Sequence, residues 1–118
     1  MFAVSNCTLS ISMMKPFNPI LGETYQCWIG GCPLYMEQVS HHPPISAYYF
    51  CGRGYTLHGT IEAKVSISGL NGGKCWSEKP TFIDFSDGTR ISLVYAKMEI
   101  KNVIIGEREF HFIDKSTP

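Results

Sequence analysis

The sequence has no excess of either charge and no long apolar run. Ten basic residues balance ten acidic ones, so no broad positive field exists to attract nucleic acid or an anionic bilayer from a distance. No apolar run approaches the length of a membrane-spanning helix, and a hydrophobic content of 44% is too high for a disordered tail. We therefore expect one soluble or peripheral domain of 118 residues, in which any anion site is local.

The sequence also lacks paired cysteines and phosphate-binding loops. Its five cysteines are an odd number without CxxC spacing, which argues against a disulfide framework and favours the reducing cytoplasm. Neither GxxxxGKS/T nor GxGxxG occurs, so no nucleotide site is predicted. We interpret the glycine pairs at residues 30–31 and 72–73 as turns.

Apolar and polar residues alternate over long stretches, which is typical of β-strands with one buried face. The clearest alternation covers residues 57–68 and predicts a single half-buried strand whose apolar face runs from Leu57 to Ile67. Further strands are predicted where β-branched and aromatic residues concentrate, at residues 24–29, 34–36, 45–51, 90–95, 97–105 and 109–113.

Residues that tolerate a positive φ stand where these strands must reverse direction. The sequence predicts such turns at residues 30–31, 52–54, 71–73 and 87–88. No segment after Lys15 combines the apolar spacing and the caps of a helix. The sequence therefore predicts an all-β fold, with a meandering antiparallel sheet over residues 23–113.

Two stretches differ from ordinary strand sequence, and the first is KPFNPILGE at residues 15–23. Its two prolines fix φ and exclude a helix, so Lys15 and Asn18 are held on a stiff, non-helical segment. Rigid polar side chains of this kind suit the capture of a ligand. A proline-rich turn with a solvated lysine is the simpler interpretation of this stretch taken alone.

The second stretch is EQVSHHPP at residues 37–44, in which two adjacent histidines precede two prolines. Adjacent residues of a regular strand face opposite ways, whereas prolines interrupt the strand ladder and make a stiff corner. Each imidazole can donate hydrogen bonds to a phosphate. The corner therefore predicts a local anion site at His41 and His42, with a metal site or a satisfied buried pair as the alternatives.

Catalytic and metal-dependent functions have less support in the sequence. Zinc requires three or four ligands at recognisable spacing, and His58, His111 and the scattered cysteines show none. A nucleophilic pair of Cys51 with His41 lacks any signature that would position a base or an oxyanion hole. We expect no enzyme, no cofactor and no metal, and a metal-dependent enzyme that uses the histidine pair remains the alternative.

EQVSHHPP resembles the fingerprint of the oxysterol-binding protein family, and KPFNPILGE resembles that family's second marked segment, in the same order along the chain. Weaker similarity extends through residues 102–106. The resemblance covers most of this chain but a minor part of the family's lipid-binding domain. It implies that residues 1–118 form part of such a domain, without its lid and its C-terminal part.

The resemblance implies an incomplete antiparallel β-barrel around a lipid tunnel, and lipid transfer in place of catalysis. Members of the family hold a sterol or another lipid and exchange it for phosphatidylinositol 4-phosphate, whose phosphates sit at the tunnel mouth. Carried over by motif, the headgroup contacts are Lys15, Asn18, His41 and His42. We expect such a protein to act in the cytoplasm, peripherally at organelle membranes or contact sites, with no nucleic-acid partner. A regulatory fragment that binds no lipid is the remaining alternative.

Overall fold

The computed structural model describes residues 17–113, and this part of the chain contains ten strands and no helix. Within residues 17–113 there is thus no helix long and apolar enough to cross a bilayer. The all-β prediction is confirmed. The strands are β1 (Thr24–Ile29), β2 (Cys32–Ser40), β3 (Ile45–Gly52), β4 (Tyr55–Glu62), β5 (Lys64–Ser68), β6 (Gly72–Trp76), β7 (Thr81–Phe85), β8 (Arg90–Leu93), β9 (Lys97–Lys101) and β10 (Glu109–Ile113).

The strands form two antiparallel sheets that belong to separate compact units. One unit, Pro19–Ala63 with Ser77–Val94, contains a six-stranded sheet in the order β1-β2-β3-β4-β7-β8, here called the large sheet. The other unit includes Lys64–Trp76 and contains a four-stranded sheet in the order β10-β9-β6-β5, here called the small sheet. The first four strands are a meander of consecutive hairpins, as the turn signals predict.

The single strand predicted over residues 57–68 is wrong in one respect, because the chain changes sheet at Ala63. β4 pairs with β3 and β7 in the large sheet, whereas β5 pairs with β6 in the small sheet. In the sequence, apolar and polar residues alternate through Ala63 without interruption, so this pattern does not reveal where one strand ends and the next begins.

The apolar face of this stretch is half-buried only at its start, around Leu57. Ile61 is 41% exposed, Val65 70% and Ile67 83%. Among the described residues of each unit, no second layer packs over these side chains. Alternation within one strand indicates which residues share a face but not whether that face is covered.

Several strands and one turn depart from the sequence-based expectation. The strand predicted over residues 97–105 ends at Lys101, and the strand predicted over residues 90–95 ends at Leu93. The turn expected at 71–73 lies at 69–71, and Gly72 and Gly73 are already paired within β6. The patterns in the sequence identify neither β6 nor β7, because β6 begins with two glycines, which are poor strand formers, and β7 carries an aspartate in its interior.

The large sheet contains a small buried contact between three neighbouring strands. The Tyr48 hydroxyl on β3 and the Thr81 hydroxyl on β7 share a hydrogen bond across Gly59 on β4, and Thr81 is 1% exposed. A Cβ atom at Gly59 would lie 2.8 Å from the Tyr48 hydroxyl oxygen and 3.0 Å from the Pro80 carbonyl oxygen. The absence of a side chain at residue 59 thus lets β3 and β7 side chains meet over the middle strand.

On another part of the large sheet, Asp84 connects three strands through its carboxylate. It accepts hydrogen bonds from the Arg90 Nε at 2.5 Å and Nη2 at 2.9 Å, and its Oδ2 lies 2.9 Å from the His58 Nε2. The Phe82 ring stacks on His58 at 5.6 Å between centroids, and the Arg90 guanidinium lies over the same ring. The hydrogen bonds from Arg90, and then from His58, lower the pKa of Asp84 to about 2.

Acid is expected to weaken the large sheet through Asp84. Because the folded-state pKa is about 2, below the ordinary value of 3.8, these contacts stabilise the fold above the ordinary pKa and lose that effect as the pH falls towards 2. Urea unfolding of the wild-type and Asp84→Asn chains from about pH 5 to about pH 2 measures the effect. The wild-type midpoint should fall more steeply with acid, and equal slopes would show that the carboxylate contributes nothing.

Candidate functional site

The first of the two unusual stretches ends in a tight turn that precedes β1. Within it, the Glu23 amide donates to the Ile20 carbonyl at 3.0 Å, and the Ile20 amide donates to Glu23 Oε2 at 3.0 Å. Gly22 has a φ of +79°, the value that the third position of a type II turn requires and that residues with a side chain rarely adopt. The sequence PILGE therefore forms a fixed turn and not a flexible lead into the sheet.

The turn is bonded directly to the second unusual stretch. The Gly22 amide donates to the Gln38 carbonyl at 2.8 Å, and the Gln38 amide donates to the Glu23 carbonyl at 3.0 Å. Thr24, at the start of β1, then pairs with Glu37 on β2. Parts of the two motifs that are separated in the sequence are thus neighbours in the fold.

The side chain of Gln38 holds the corner that follows β2. Gln38 is 2% exposed, its Nε2 donates to the Ser40 carbonyl at 2.9 Å, and its Oε1 accepts from the Ser46 hydroxyl at 2.5 Å. The pairing of β2 with β3 shifts register between Gln38 and Ser40, so Val39 is the extra residue of a β-bulge. The glutamine amide thereby ties both strands to each other immediately before the two histidines.

His41 and His42 lie on the turn at residues 41–44, and both side chains are exposed. Their ring centroids are 4.5 Å apart and the ring planes are tilted by 59°. In a continuous strand, two consecutive side chains would point to opposite faces. The turn instead places the two imidazoles side by side and open to solvent, so both rings have nitrogen atoms that a ligand could reach.

The structure brings together two of the four residues that the motifs predict as headgroup contacts. His41 and His42 are adjacent, whereas Asn18 is an exposed residue of the irregular segment before β1. Lys15 lies outside the described residues. The assignment of all four to a headgroup remains a prediction.

Gln38 is the residue of this site that the sequence patterns do not single out. Leu34, Met36 and Gln38 alternate along β2 and share one face, so a glutamine occupies a position of an otherwise apolar series. A polar residue in such a series, three residues before a proline corner, is the signal that could have identified it, because a buried amide needs hydrogen-bond partners.

The alternative chemistries gain no support from the geometry. Within residues 17–113, no three histidine, cysteine or acidic side chains gather as a metal would require. The turn at residues 41–44 is here called the histidine corner, and Ile45 directly follows it. Cys51 lies six residues further along β3, a separation of roughly 20 Å along a strand. The Cys51 thiol and the His41 imidazole are therefore too far apart to act as a nucleophilic pair.

The small sheet carries a separate candidate surface, an open apolar groove of about 460 Å³, which is within the size range of small-molecule sites. One wall is a loop held by Asn71, whose Oδ1 accepts from the Ile104 amide at 2.7 Å and whose Nδ2 donates to the Ile105 carbonyl at 2.7 Å. The groove is therefore a fixed surface. The apolar residues that line it are Val65, Ile67, Leu70, Met98, Ile100, Val103 and Ile104.

The described residues thus form antiparallel β-sheets, with an exposed histidine corner in one unit and an open apolar groove in the other. A family model described as oxysterol-binding protein matches residues 1–117. Oxysterol-binding protein 9 of Dictyostelium discoideum is 37% identical over 119 residues, which cover 97% of this chain and 27% of that protein. Oxysterol-binding protein-related protein 8 of Mus musculus is 51% identical over 65 residues, which cover 48% of this chain and 7% of that protein.

Solved structures share the fold. The Osh3 ORD of Saccharomyces cerevisiae, in complex with PI(4)P, has a TM-score of 0.77 at 27% identity, with 85% of this chain and 27% of that chain covered. The Osh1 ORD domain in complex with cholesterol has a TM-score of 0.71 at 24% identity, with 83% and 25% covered, and this likeness concerns the fold alone.

The chain belongs to the oxysterol-binding protein family. It spans about a quarter of the length of the Dictyostelium relative and a smaller share of the mouse relative. The predicted family is confirmed, and so is the predicted fold class, part of an incomplete antiparallel β-barrel.

Proposed function

We propose that this chain binds lipid and contributes to lipid transfer, with the phosphates of phosphatidylinositol 4-phosphate held at the histidine corner. The second lipid is a sterol or another lipid that is exchanged for the phosphoinositide. His41 and His42 donate hydrogen bonds to the phosphates, and Lys15 and Asn18 complete the contacts. The chain acts as a binding protein and not as an enzyme, in the cytoplasm and peripherally at organelle membranes or contact sites.

One observation carries this proposal. Two exposed imidazoles, with ring centroids 4.5 Å apart, lie on a corner that the buried Gln38 side chain fixes through its bonds to Ser40 and Ser46. A phosphate group has several acceptor oxygens, and two neighbouring donors on a rigid support can bind it with little loss of conformational freedom. Hydrogen bonds to a charged group are also about twice as strong as those between neutral groups. A compact anion is the ligand that best matches this pair.

The relatives and the small sheet support the lipid part of the proposal. The Osh3 ORD was solved with PI(4)P, and the Osh1 ORD with cholesterol and with ergosterol. In this chain, the groove on the small sheet has the apolar lining and the size that a sterol or an acyl chain needs.

Binding to vesicles that differ by one phosphate tests the headgroup assignment. The full 118-residue chain is mixed with phosphatidylcholine vesicles that contain either phosphatidylinositol 4-phosphate or phosphatidylinositol, and flotation separates bound from free protein. We expect preferential binding to the 4-phosphate vesicles. Equal binding to both would remove the phosphate from the assignment, and binding to neither would favour a regulatory segment that holds no lipid.

A further inference from the structure

The turn that precedes β1 carries two exposed aliphatic side chains. Ile20 is 69% exposed and Leu21 is 63% exposed. The tip of this turn, residues 19–22, has no charged side chain, and the neighbouring Glu23 carboxylate is directed back to the Ile20 amide. The turn therefore has an apolar tip. We call the whole turn, residues 19–23, the apolar turn.

Hydrogen bonds fix the apolar turn in this exposed position. Two bonds connect Ile20 with Glu23, and two connect the turn to Gln38 on β2. The backbone is thus held before any partner binds. A preorganised surface loses little conformational entropy on association, so even two aliphatic side chains can contribute to binding.

The apolar turn is continuous with the histidine corner. Gly22 bonds to the backbone of Gln38, and the Gln38 side chain bonds to Ser40, the residue before His41. The headgroup of a membrane lipid lies at the bilayer surface, and the hydrocarbon region begins immediately beneath it. An exposed surface that is bonded to the support of a headgroup site is brought close to the bilayer when that site holds a lipid still in the membrane.

We propose that the apolar turn is a membrane-docking surface, which inserts Ile20 and Leu21 into the bilayer beside the lipid that the histidine corner recognises. This proposal rests on the proposed function, because the corner supplies the orientation. The occupant is a phospholipid bilayer. Apolar side chains that enter the boundary of headgroups and acyl chains add affinity in proportion to the area they bury.

The test compares two isoleucines that undergo the same substitution. Ile20→Asn removes an exposed side chain from the apolar turn, and Ile29→Asn removes one that is 56% exposed at the opposite end of β1. Flotation with phosphatidylcholine vesicles containing phosphatidylinositol 4-phosphate measures membrane binding of each 118-residue chain. We expect Ile20→Asn to weaken binding about tenfold, the factor for transfer of one aliphatic side chain out of water, and Ile29→Asn to change it less than about twofold.

A soluble headgroup separates docking from headgroup recognition. Binding of glycerophosphoinositol 4-phosphate, which has no acyl chains, should be unchanged in Ile20→Asn, and circular dichroism should report the wild-type strand content. If the wild-type chain does not bind this headgroup but still floats with vesicles in an Ile20-dependent way, the proposed function fails, and what stands is contact of Ile20 with the bilayer without orientation by the corner.

Three results would overturn the docking proposal. Equal losses in Ile20→Asn and Ile29→Asn would mean that vesicles adsorb any exposed apolar residue of the chain. A loss of soluble headgroup binding in Ile20→Asn would make Ile20 a support of the corner. A change of oligomeric state in Ile20→Asn, measured by sedimentation without vesicles, would assign the apolar turn to contacts with a second copy of the chain.

Discussion

Replacing His41 and His42 together by alanine is expected to weaken binding of phosphatidylinositol 4-phosphate by at least about tenfold. Each hydrogen bond to a charged phosphate contributes roughly 1.5–3 kcal/mol, so the loss of two exceeds the 1.4 kcal/mol that corresponds to a factor of ten, even with partial compensation by Lys15. Binding of a sterol should change little, because a sterol offers mainly apolar surface and no phosphate. The selectivity of the loss identifies the role of the histidines.

Extraction of both lipids from vesicles by the wild-type and double-substituted chains measures this selectivity. His111→Ala is the matched control, since His111 is also exposed but lies on β10 of the small sheet. It should leave both lipids unaffected. Equal losses of the phosphoinositide and the sterol in the double variant would mean that the histidines support the fold, and the headgroup assignment would then be withdrawn.

Replacing Gln38 by leucine is expected to destabilise the fold by about 2 kcal/mol and to weaken phosphoinositide binding as well. The substitution removes two hydrogen bonds, to the Ser40 carbonyl and from the Ser46 hydroxyl, each worth roughly 1 kcal/mol. It also frees the backbone that positions His41. Urea unfolding measures the first effect, and vesicle flotation measures the second.

The chain offers two controls for Gln38. Gln26→Leu makes the same change at an exposed residue of β1 and should alter stability by no more than about 0.5 kcal/mol. Ser46→Ala should destabilise the wild-type chain but have almost no further effect in the Gln38→Leu background, because the two residues share one hydrogen bond. Independent, additive effects of the two substitutions would refute the shared contact.

Local sequence was sufficient to predict that β1 to β4 are strands, although not where β4 ends. β1 to β4 form a meander whose first and third reversals lie at glycine-containing turns and whose second lies at the proline-containing turn of residues 41–44. Both the alternation and the turn chemistry are properties of a few adjacent residues. The pairing of β4 with β7 could not be predicted in this way. β5 and β6, which belong to the small sheet, lie between these two strands in the chain. Nothing within Tyr55–Glu62 specifies β7 as the partner.

The histidine corner was predictable, but its support was not. The proline pair after His42 predicts a corner wherever it occurs, because proline cannot continue a strand ladder. The burial of Gln38, by contrast, depends on Ser46 from the following strand and on the bulge at Val39. These are tertiary contacts, so the polar residue in the apolar series of β2 indicates only that Gln38 needs hydrogen-bond partners and not which residues supply them.

The insertion of β5 and β6 between β4 and β7 also has a consequence for how the chain folds. Pairing Gly59 with Thr81 closes a loop of about twenty residues, which costs roughly 2 kcal/mol more entropy than a two-residue hairpin. Contacts within the β1 to β4 meander are local and form faster than contacts between distant segments. Gln38 and the two histidines belong to this meander, and the apolar turn directly precedes it and is bonded to β2. The candidate site can therefore assemble before the large sheet acquires its last two strands.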